Sequence, residues 1–373
     1  MNTGLTRRDL LSSAGPSGAA AKTPRLELRP LGKTGLRLTT VGFGCMITSD
    51  PSVVERALDS GINYFDTARV YQNGNNERMV GAALRKGRDK IYISSKSVSR
   101  TKAALLEDID TTLKEIGTDH IDIWYLHNYR NPAEIKDELL EAQEIARKQG
   151  KIRFKGISTH LNQAAVMRAA LAKKHFDVFL TSYNFAMDQA LDPVLAEAKQ
   201  AGVGIVAMKV MAGGYREMPF YPTTPAWRAR MKQEGALLAA LKWVLKNKNV
   251  DTTIPSMVDQ DQLEENLRAM AEPYTPADEK LLTAQLDRIG PILCRMCNTC
   301  DGQCRQGLPV ADMLRYLMYA DGYRQFALGR QEFLNLSEET HAVRCKDCPG
   351  CTVECPNGVR VAHRLRRAQE LFA

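Results

Sequence analysis

Between about residues 25 and 290 the chain repeats one local pattern eight times: a short apolar run, then a longer stretch whose apolar residues recur at helical spacing. Runs this short suit strands covered on both faces, and the stretches between them carry one apolar stripe each. Strands are expected at 41–44, 63–66, 91–96, 121–127, 152–158, 178–183, 204–209 and 252–255. Helices are expected at 51–60, 77–86, 102–116, 132–149, 163–173, 193–200, 235–246 and 260–271. Eight parallel strand–helix units in about 250 residues close into a barrel. The competing architecture, an open doubly wound sheet, carries a glycine-rich fingerprint after its first strand. Here that strand ends Gly42-Phe43-Gly44-Cys45, with no third glycine. The fold class is therefore α/β, a (β/α)8 barrel. Upstream, 26–28 and 36–39 flank Gly32-Lys33-Thr34-Gly35 and read as a hairpin.

In such a barrel chemistry gathers at the C-terminal ends of the strands. The second strand ends Phe65-Asp66-Thr67-Ala68-Arg69-Val70-Tyr71, the third Ser94-Ser95-Lys96, and the fourth Tyr125-Leu126-His127-Asn128. Consecutive strands thus deliver Asp66, Lys96 and His127 to one mouth, with Tyr71 a few residues into a loop. An ammonium held charged by a carboxylate is expected to lower the pKa of a phenol beside it, which makes Tyr71 a proton donor and acceptor. His127 can hydrogen-bond a substrate oxygen. Singly, each has an ordinary structural role: a strand-end histidine satisfied in the core, a tyrosine packing a loop.

These residues, with RPLGKTGLRLTTVGFG, INYFDTARVY, ISSK, IDIWYLHN and IPSMVDQDQLEEN, make the segment 25–290 resemble the aldo-keto reductase family. The resemblance implies a (β/α)8 barrel that interconverts a carbonyl and an alcohol with NAD(H) or NADP(H). It implies a catalytic tetrad of Asp66, Tyr71, Lys96 and His127. It also implies dinucleotide contacts from Ser158, Asn184, Lys209, Ser256, Met257, Gln262, Glu265 and Asn266. The sequence departs from the family's nicotinamide site at three places. No asparagine follows Ser158, Leu180 stands where a glutamine is usual, and Met208-Lys209 stand where a stacking tyrosine is usual. Asp259 replaces the usual 2′-phosphate arginine, which favours NAD(H). Gly213-Gly214 after Lys209 allows close approach to a phosphate. Substrate choice is expected to rest on loops such as 130–134 and 215–226.

Eight of the nine cysteines lie in the last 80 residues. Cys294-x2-Cys297-x2-Cys300-x3-Cys304 recurs 51 residues later as Cys345-x2-Cys348-x2-Cys351-x3-Cys355. The repeat runs on: Gly307 matches Gly358, Val310 matches Val361, Leu314 matches Leu365, and Arg315 matches Arg366. Two such quartets suit two [4Fe–4S] clusters of the bacterial ferredoxin type, in which the fourth cysteine of each run serves the other cluster. One cluster would take Cys294, Cys297, Cys300 and Cys355, and the other Cys345, Cys348, Cys351 and Cys304. Zinc wants two pairs rather than two quartets, and disulfides rarely follow this repeat. The clusters would transfer electrons to or from a partner, or clamp the structure. The segment 291–373 is thus expected to be a small, mainly helical ferredoxin-like domain, with helices near 313–319 and 323–335. Cys45 stands apart and reads as a buried hydrophobe.

Residues 1–24 carry Arg7-Arg8, Leu10-Leu11 and a small-residue tract, a twin-arginine-like signal implying periplasmic export; the alternative is a disordered basic tail on a cytoplasmic protein. No apolar run approaches the length of a membrane span. The net charge of +8 permits an acidic partner. The last helix, with Arg360, His363, Arg364, Arg366 and Arg367, lacks aromatic interleaving, so it reads as solvated or as a docking face for an electron-transfer protein rather than for nucleic acid. Two other readings keep the barrel. In one it is an electron-transfer scaffold that no longer binds a dinucleotide. In the other the tetrad does non-redox proton chemistry on a carbonyl or sugar.

Overall fold

The computed structural model of the chain describes residues 26–187, 190–212, 235–323 and 325–373. The hairpin comes first: β1 (Leu28–Pro30) pairs antiparallel with β2 (Arg37–Thr39), Leu28 opposite Thr39. Eight parallel strands follow: β3 (Phe43–Gly44), β4 (Tyr64–Asp66), β5 (Tyr92–Ser97), β6 (Ile121–Tyr129), β7 (Ile152–Thr159), β8 (Val178–Ser182), β9 (Gly204–Met208) and β10 (Thr252–Thr253). They pair in chain order. The bridges Val41–Thr253 and Gly44–Ser256 join the last strand to the first and close the barrel.

The period of two along each strand sorts the side chains. Ile123 and Tyr125 of β6, Val178 and Leu180 of β8, and Val206 and Met208 of β9 fill the inside of the barrel. Trp124, Leu126, Phe179, Ile205 and Ala207 face outward against the helices. The hairpin plugs the lower end: Leu31, Leu36 and Leu38 join the inner cluster. Gly32 turns there at φ 49°, and a Cβ on it would lie 2.4 Å from the backbone nitrogen of Gly204. Leu180 is fully buried inside the barrel, so its place in the sequence is explained by packing.

The outer helices α1 (Pro51–Asp59), α2 (Asn75–Leu84), α3 (Lys102–Ile116), α4 (Asp137–Lys148), α5 (Gln163–Ala172) and α6 (Leu191–Ala201) are followed by helices at Ala236–Lys246 and Gln260–Arg268. The stretch 132–149 is a 3-10 turn, Pro132–Glu134, followed by α4, not one helix. The helix Pro276–Ile289 starts on a capping box: Thr275 accepts from the Asp278 nitrogen while the Asp278 carboxylate accepts from the Thr275 nitrogen.

After it the described residues form helices and no strand: Val310–Asp321, Phe326–Leu334, Glu338–Ala342 and Val361–Phe372. Met313, Leu317, Phe333, Leu365, Ala368 and Phe372 are their core. Both halves of the repeat enter their helices alike, through Gly307 at φ 72° and Gly358 at φ 73°. On the basic last helix Arg360, His363 and Arg366 are exposed as expected, and two other arginines are not on the solvated face. Arg364 is 3% exposed and, with Arg367, pairs with the buried Asp321. The twin-arginine-like segment, Gly213-Gly214 and the loop 215–226 lie outside the described residues.

Candidate functional site

Strand register builds the site. Asp66 sits opposite Ser94, and Lys96 opposite Tyr125. Inward positions therefore climb from Tyr64 to Asp66, from Ser94 to Lys96, and from Tyr125 to His127. Lys96 Nζ donates to Asp66 Oδ2 at 2.5 Å and to the Thr67 carbonyl at 2.7 Å, and Ser94 Oγ donates to Asp66 Oδ1 at 2.6 Å. Below them Tyr64 OH donates to Ser94 Oγ at 2.9 Å and lies 3.0 Å from Tyr125 OH. Lys96 and Asp66 are 1% and 2% exposed, so their charges survive burial only as a pair.

Tyr71 is half-buried in the tight turn Tyr71–Gly74, where Gln72 and Asn73 both take positive φ. Buried Asn76 pins that turn, accepting from Thr67 Oγ1 at 2.6 Å and donating to the Cys45 carbonyl at 2.9 Å. Buried Glu77 pairs with Arg69 and accepts from Ser95 at 2.5 Å, tying α2 to the end of β5. The Lys96 ammonium lies 4.9 Å from the centre of the Tyr71 ring, and the His127 ring stands edge-on to it at 6.2 Å. The tetrad residues are thus brought together.

The effect expected of the Lys96 ammonium on Tyr71 meets opposing ones. The Tyr71 phenol is held well above its ordinary pKa, first by burial and then by the Asp66 carboxylate. The ammonium makes its hydrogen bonds to Asp66 and Thr67 and sits against the ring. Burial, with Lys96 and Arg100 nearby, holds His127 well below the usual imidazole range, so it is neutral.

The residues proposed for a dinucleotide are placed unevenly. Ser158 is buried and its hydroxyl accepts from the Asn128 nitrogen at 2.9 Å. Asn184 donates to the Lys209 carbonyl at 2.9 Å and accepts from the Ala186 nitrogen at 3.0 Å. Ser256 lies on the closing bridge to Gly44. Met257 belongs to the core between barrel and helices, so its side chain is not a ligand contact. Gln262 bonds Asp259, which caps the helix Gln260–Arg268, and Glu265 and Asn266 are buried on that helix.

Sequence reasoning missed what covers the mouth. The helix Val310–Asp321 lies across it, joined by Arg130 to Asp312 at 2.6 Å and by Arg315 Nη1 to Asn128 Oδ1 at 3.2 Å. Lys209, at φ 55°, puts its ammonium 5.0 and 5.2 Å from the ring centres of Tyr319 and Tyr323. Burial, and then Arg315, pushes that ammonium down to about 7. The crevice left between Asn184, Lys209, Cys294, Met318 and Tyr323 holds about 20 Å³, room for one water. Tyr319 and Tyr323 fill the space beside Lys209, so a ring entering there must displace them. The only signal in the sequence was Arg315 recurring as Arg366, and nothing local tied it to the barrel.

All nine cysteines are free thiols. Cys45 is fully buried under β4, and burial holds its thiol far up. The other eight form two neighbourhoods. Burial pushes Cys294 up to about 12, and Cys300, Cys297 and Cys355 add to the shift. Burial pushes Cys345 up to about 11, with Cys304, Cys351 and Cys348 adding to it. Each set draws its fourth thiol from the opposite repeat. Cross-repeat bonds hold this exchange: Gln303 Oε1 accepts from the Glu354 nitrogen at 2.8 Å, and Arg295 donates to Asn357 at 3.0 Å. Among the described residues no group of three or more His, Cys, Asp or Glu is arranged to hold a metal ion.

Comparison with known proteins gives the same picture of the barrel. L-Galactose dehydrogenase of Arabidopsis thaliana is 28% identical over 66% of this chain and 89% of its own length. The Bacillus subtilis uncharacterized oxidoreductase YqkF is 34% identical over 36% of this chain and 49% of its own. Among solved structures, the holo form of the aldo-keto reductase AKR11C1 from Bacillus halodurans superposes with a TM-score of 0.59 at 26% identity, covering 70% of this chain and 96% of that one. The aldo/keto reductase family model matches residues 49–286, well over half of the chain. By that match and by the barrel that carries it, the chain belongs to the aldo/keto reductase family of oxidoreductases.

Proposed function

We propose that this oxidoreductase interconverts a carbonyl and an alcohol at the barrel mouth, with Tyr71 exchanging the proton with the substrate oxygen. The observation that carries this is the buried Asp66–Lys96 pair at 2.5 Å, its ammonium 4.9 Å from the Tyr71 ring. A phenol with a raised pKa stays protonated at neutral pH, which suits donation during reduction. Once it has donated, the adjacent ammonium offsets the phenolate charge in a water-poor site. Neutral His127 can orient the substrate oxygen by a hydrogen bond without giving up a proton. With Tyr319 and Tyr323 over Lys209 a nicotinamide, like the substrate, enters only if those side chains yield, and no hydride step is derived through a dinucleotide.

The spacing of the two cysteine runs supports iron–sulfur clusters: Cys294, Cys297, Cys300 and Cys355 would hold one, and Cys345, Cys348, Cys351 and Cys304 the other. When bound, [4Fe–4S] clusters would supply one-electron transfer. An electron-linked barrel without a dinucleotide is the alternative reading, and the choice of donor in the assay separates the two. The Arg7-Arg8 segment is proposed as a twin-arginine export signal; fractionation of cells expressing the full chain tests it.

The test is turnover of Tyr71→Phe, prepared anaerobically and assayed on aldehydes and ketones with either NADH or a reduced one-electron dye as donor. Activity is expected to fall at least a hundredfold with an unchanged fold. Retained activity removes Tyr71 from the chemistry, and activity with NADH alone restores the dinucleotide.

A further inference from the structure

Arg315 is a cation that the fold buries and leaves incompletely partnered. Its side chain is 4% exposed, yet its Nη1 donates to Asn128 at 3.2 Å, its Nη2 lies 3.5 Å from Asp312, and its Nε has no acceptor. Asp312 is already engaged by Arg130 through two contacts of 2.6 Å. The internal repeat sharpens the point. Arg366 holds the equivalent position in the second half and is exposed to solvent. Helix packing in the repeat therefore does not require a buried arginine here; the copy turned to the barrel is the one that is buried.

Its surroundings carry the same imbalance. Lys209 has no carboxylate within ion-pair distance among the described residues and rests against the rings of Tyr319 and Tyr323. Arg100 donates to the carbonyls of His127 and Asn128 at 2.9 and 3.3 Å, not to an acid. Lys96 is matched by Asp66. Two further buried polar atoms at the mouth lack partners, His127 Nδ1 and Tyr323 OH. A buried charged donor without an acceptor is costly, and an anionic oxygen is the group that removes the cost.

We propose that the mouth takes a carbonyl or alcohol substrate bearing a carboxylate, and that Arg315, supplied by the C-terminal helices, binds that carboxylate with Lys209 as a second positive charge. This rests on the function proposed above and adds the substrate class. The planar guanidinium fork matches a carboxylate. An acid of three or more carbons exceeds the 20 Å³ crevice, so Tyr323 and Met318 must yield as it enters. Specificity is then set by a helix outside the barrel, far along the chain from the tyrosine and histidine it serves.

The test is calorimetric titration of the full anaerobic holoprotein with 2-oxo acids of three to six carbons, against the methyl ketones that lack the carboxylate. At least one acid is expected to bind ten times more tightly than its ketone. Arg315→Met should reduce that acid to the level of the ketone, and Arg315→Lys should recover part of the difference. Acids and ketones binding equally to the wild-type protein overturn the proposal, as does an acid preference that survives Arg315→Met. Should Arg315→Met not fold, the wild-type comparison decides alone. Tyr71→Phe separates this idea from the one it rests on: it is expected to bind the acid and not turn it over. If it turns over normally, the proposed chemistry falls while binding still judges the anion site.

Discussion

Lys96 shows how little freedom a single residue has at this site. Its ammonium is 1% exposed and meets one carboxylate, one carbonyl and one ring face. Lys96→Met leaves Asp66 charged beneath the mouth, with only Ser94 still donating to it. Removing one partner of a buried pair costs about 3–5 kcal/mol, which denaturant unfolding would measure. The double variant Asp66→Asn, Lys96→Met is expected to regain most of that stability and none of the turnover. Regained turnover would show that the pair only holds the barrel together. His175 tests the same physics without catalysis. Burial, aided by Lys155, pushes it down to about 4 from 6.5, beside Gln143. Between those two pH values the unfolded chain holds a proton that the native chain refuses, so stability falls as pH drops through the window. The ring is partly exposed, which reduces the loss to about 1–2 kcal/mol. His175→Gln is expected to flatten the unfolding free energy across that range; an unchanged slope would reject the assignment.

At the scale of elements, the strands were readable because their period of two and their length are local. The expected 204–209 became Gly204–Met208, and the expected 102–116 helix became Lys102–Ile116 without change. Where an element broke, the cause is also local. The chain leaves the 3-10 turn at Pro132–Glu134 through a non-helical Ile135 and restarts at Asp137. On the last helix only Arg364 and Arg367 depart from the expected solvated face, because an arginine looks solvated until its counter-ion is known. Asp321 lies at the end of another helix, 5% exposed, between Arg364 and Arg367. Asp321→Asn is expected to destabilise the C-terminal helices by about 3–5 kcal/mol, since it removes the counter-charge of the buried Arg364. Hydrogen exchange would show faster opening of Val310–Asp321 and Val361–Phe372 than of the barrel strands. Equal protection in variant and wild type would mean that the cations find other partners.

At the scale of the whole molecule, the proposed clusters make a countable claim. Protein purified without oxygen is expected to hold about eight iron atoms per chain. About four would mean one cluster, and stoichiometric zinc would discard both. Cys304→Ser is expected to disturb the cluster held mainly by Cys345, Cys348 and Cys351, visible as a changed low-temperature paramagnetic signal. If that signal is untouched, the exchange of cysteines between repeats is wrong.

Taken alone, the amino-acid order determined the eightfold alternation, the residues at the strand ends and the two cysteine quartets. Each is written in spacings of two to a few residues, and backbone geometry converts such spacings directly into position. Only the tertiary structure decided that the Val310–Asp321 helix lies on the barrel mouth. It alone set Tyr319 and Tyr323 over Lys209 and raised the Tyr71 phenol when its ammonium neighbour should have lowered it. Those outcomes depend on which surfaces fit each other across nearly two hundred residues and on how much water that fit expels. Neither shape complementarity nor desolvation has a local period to read.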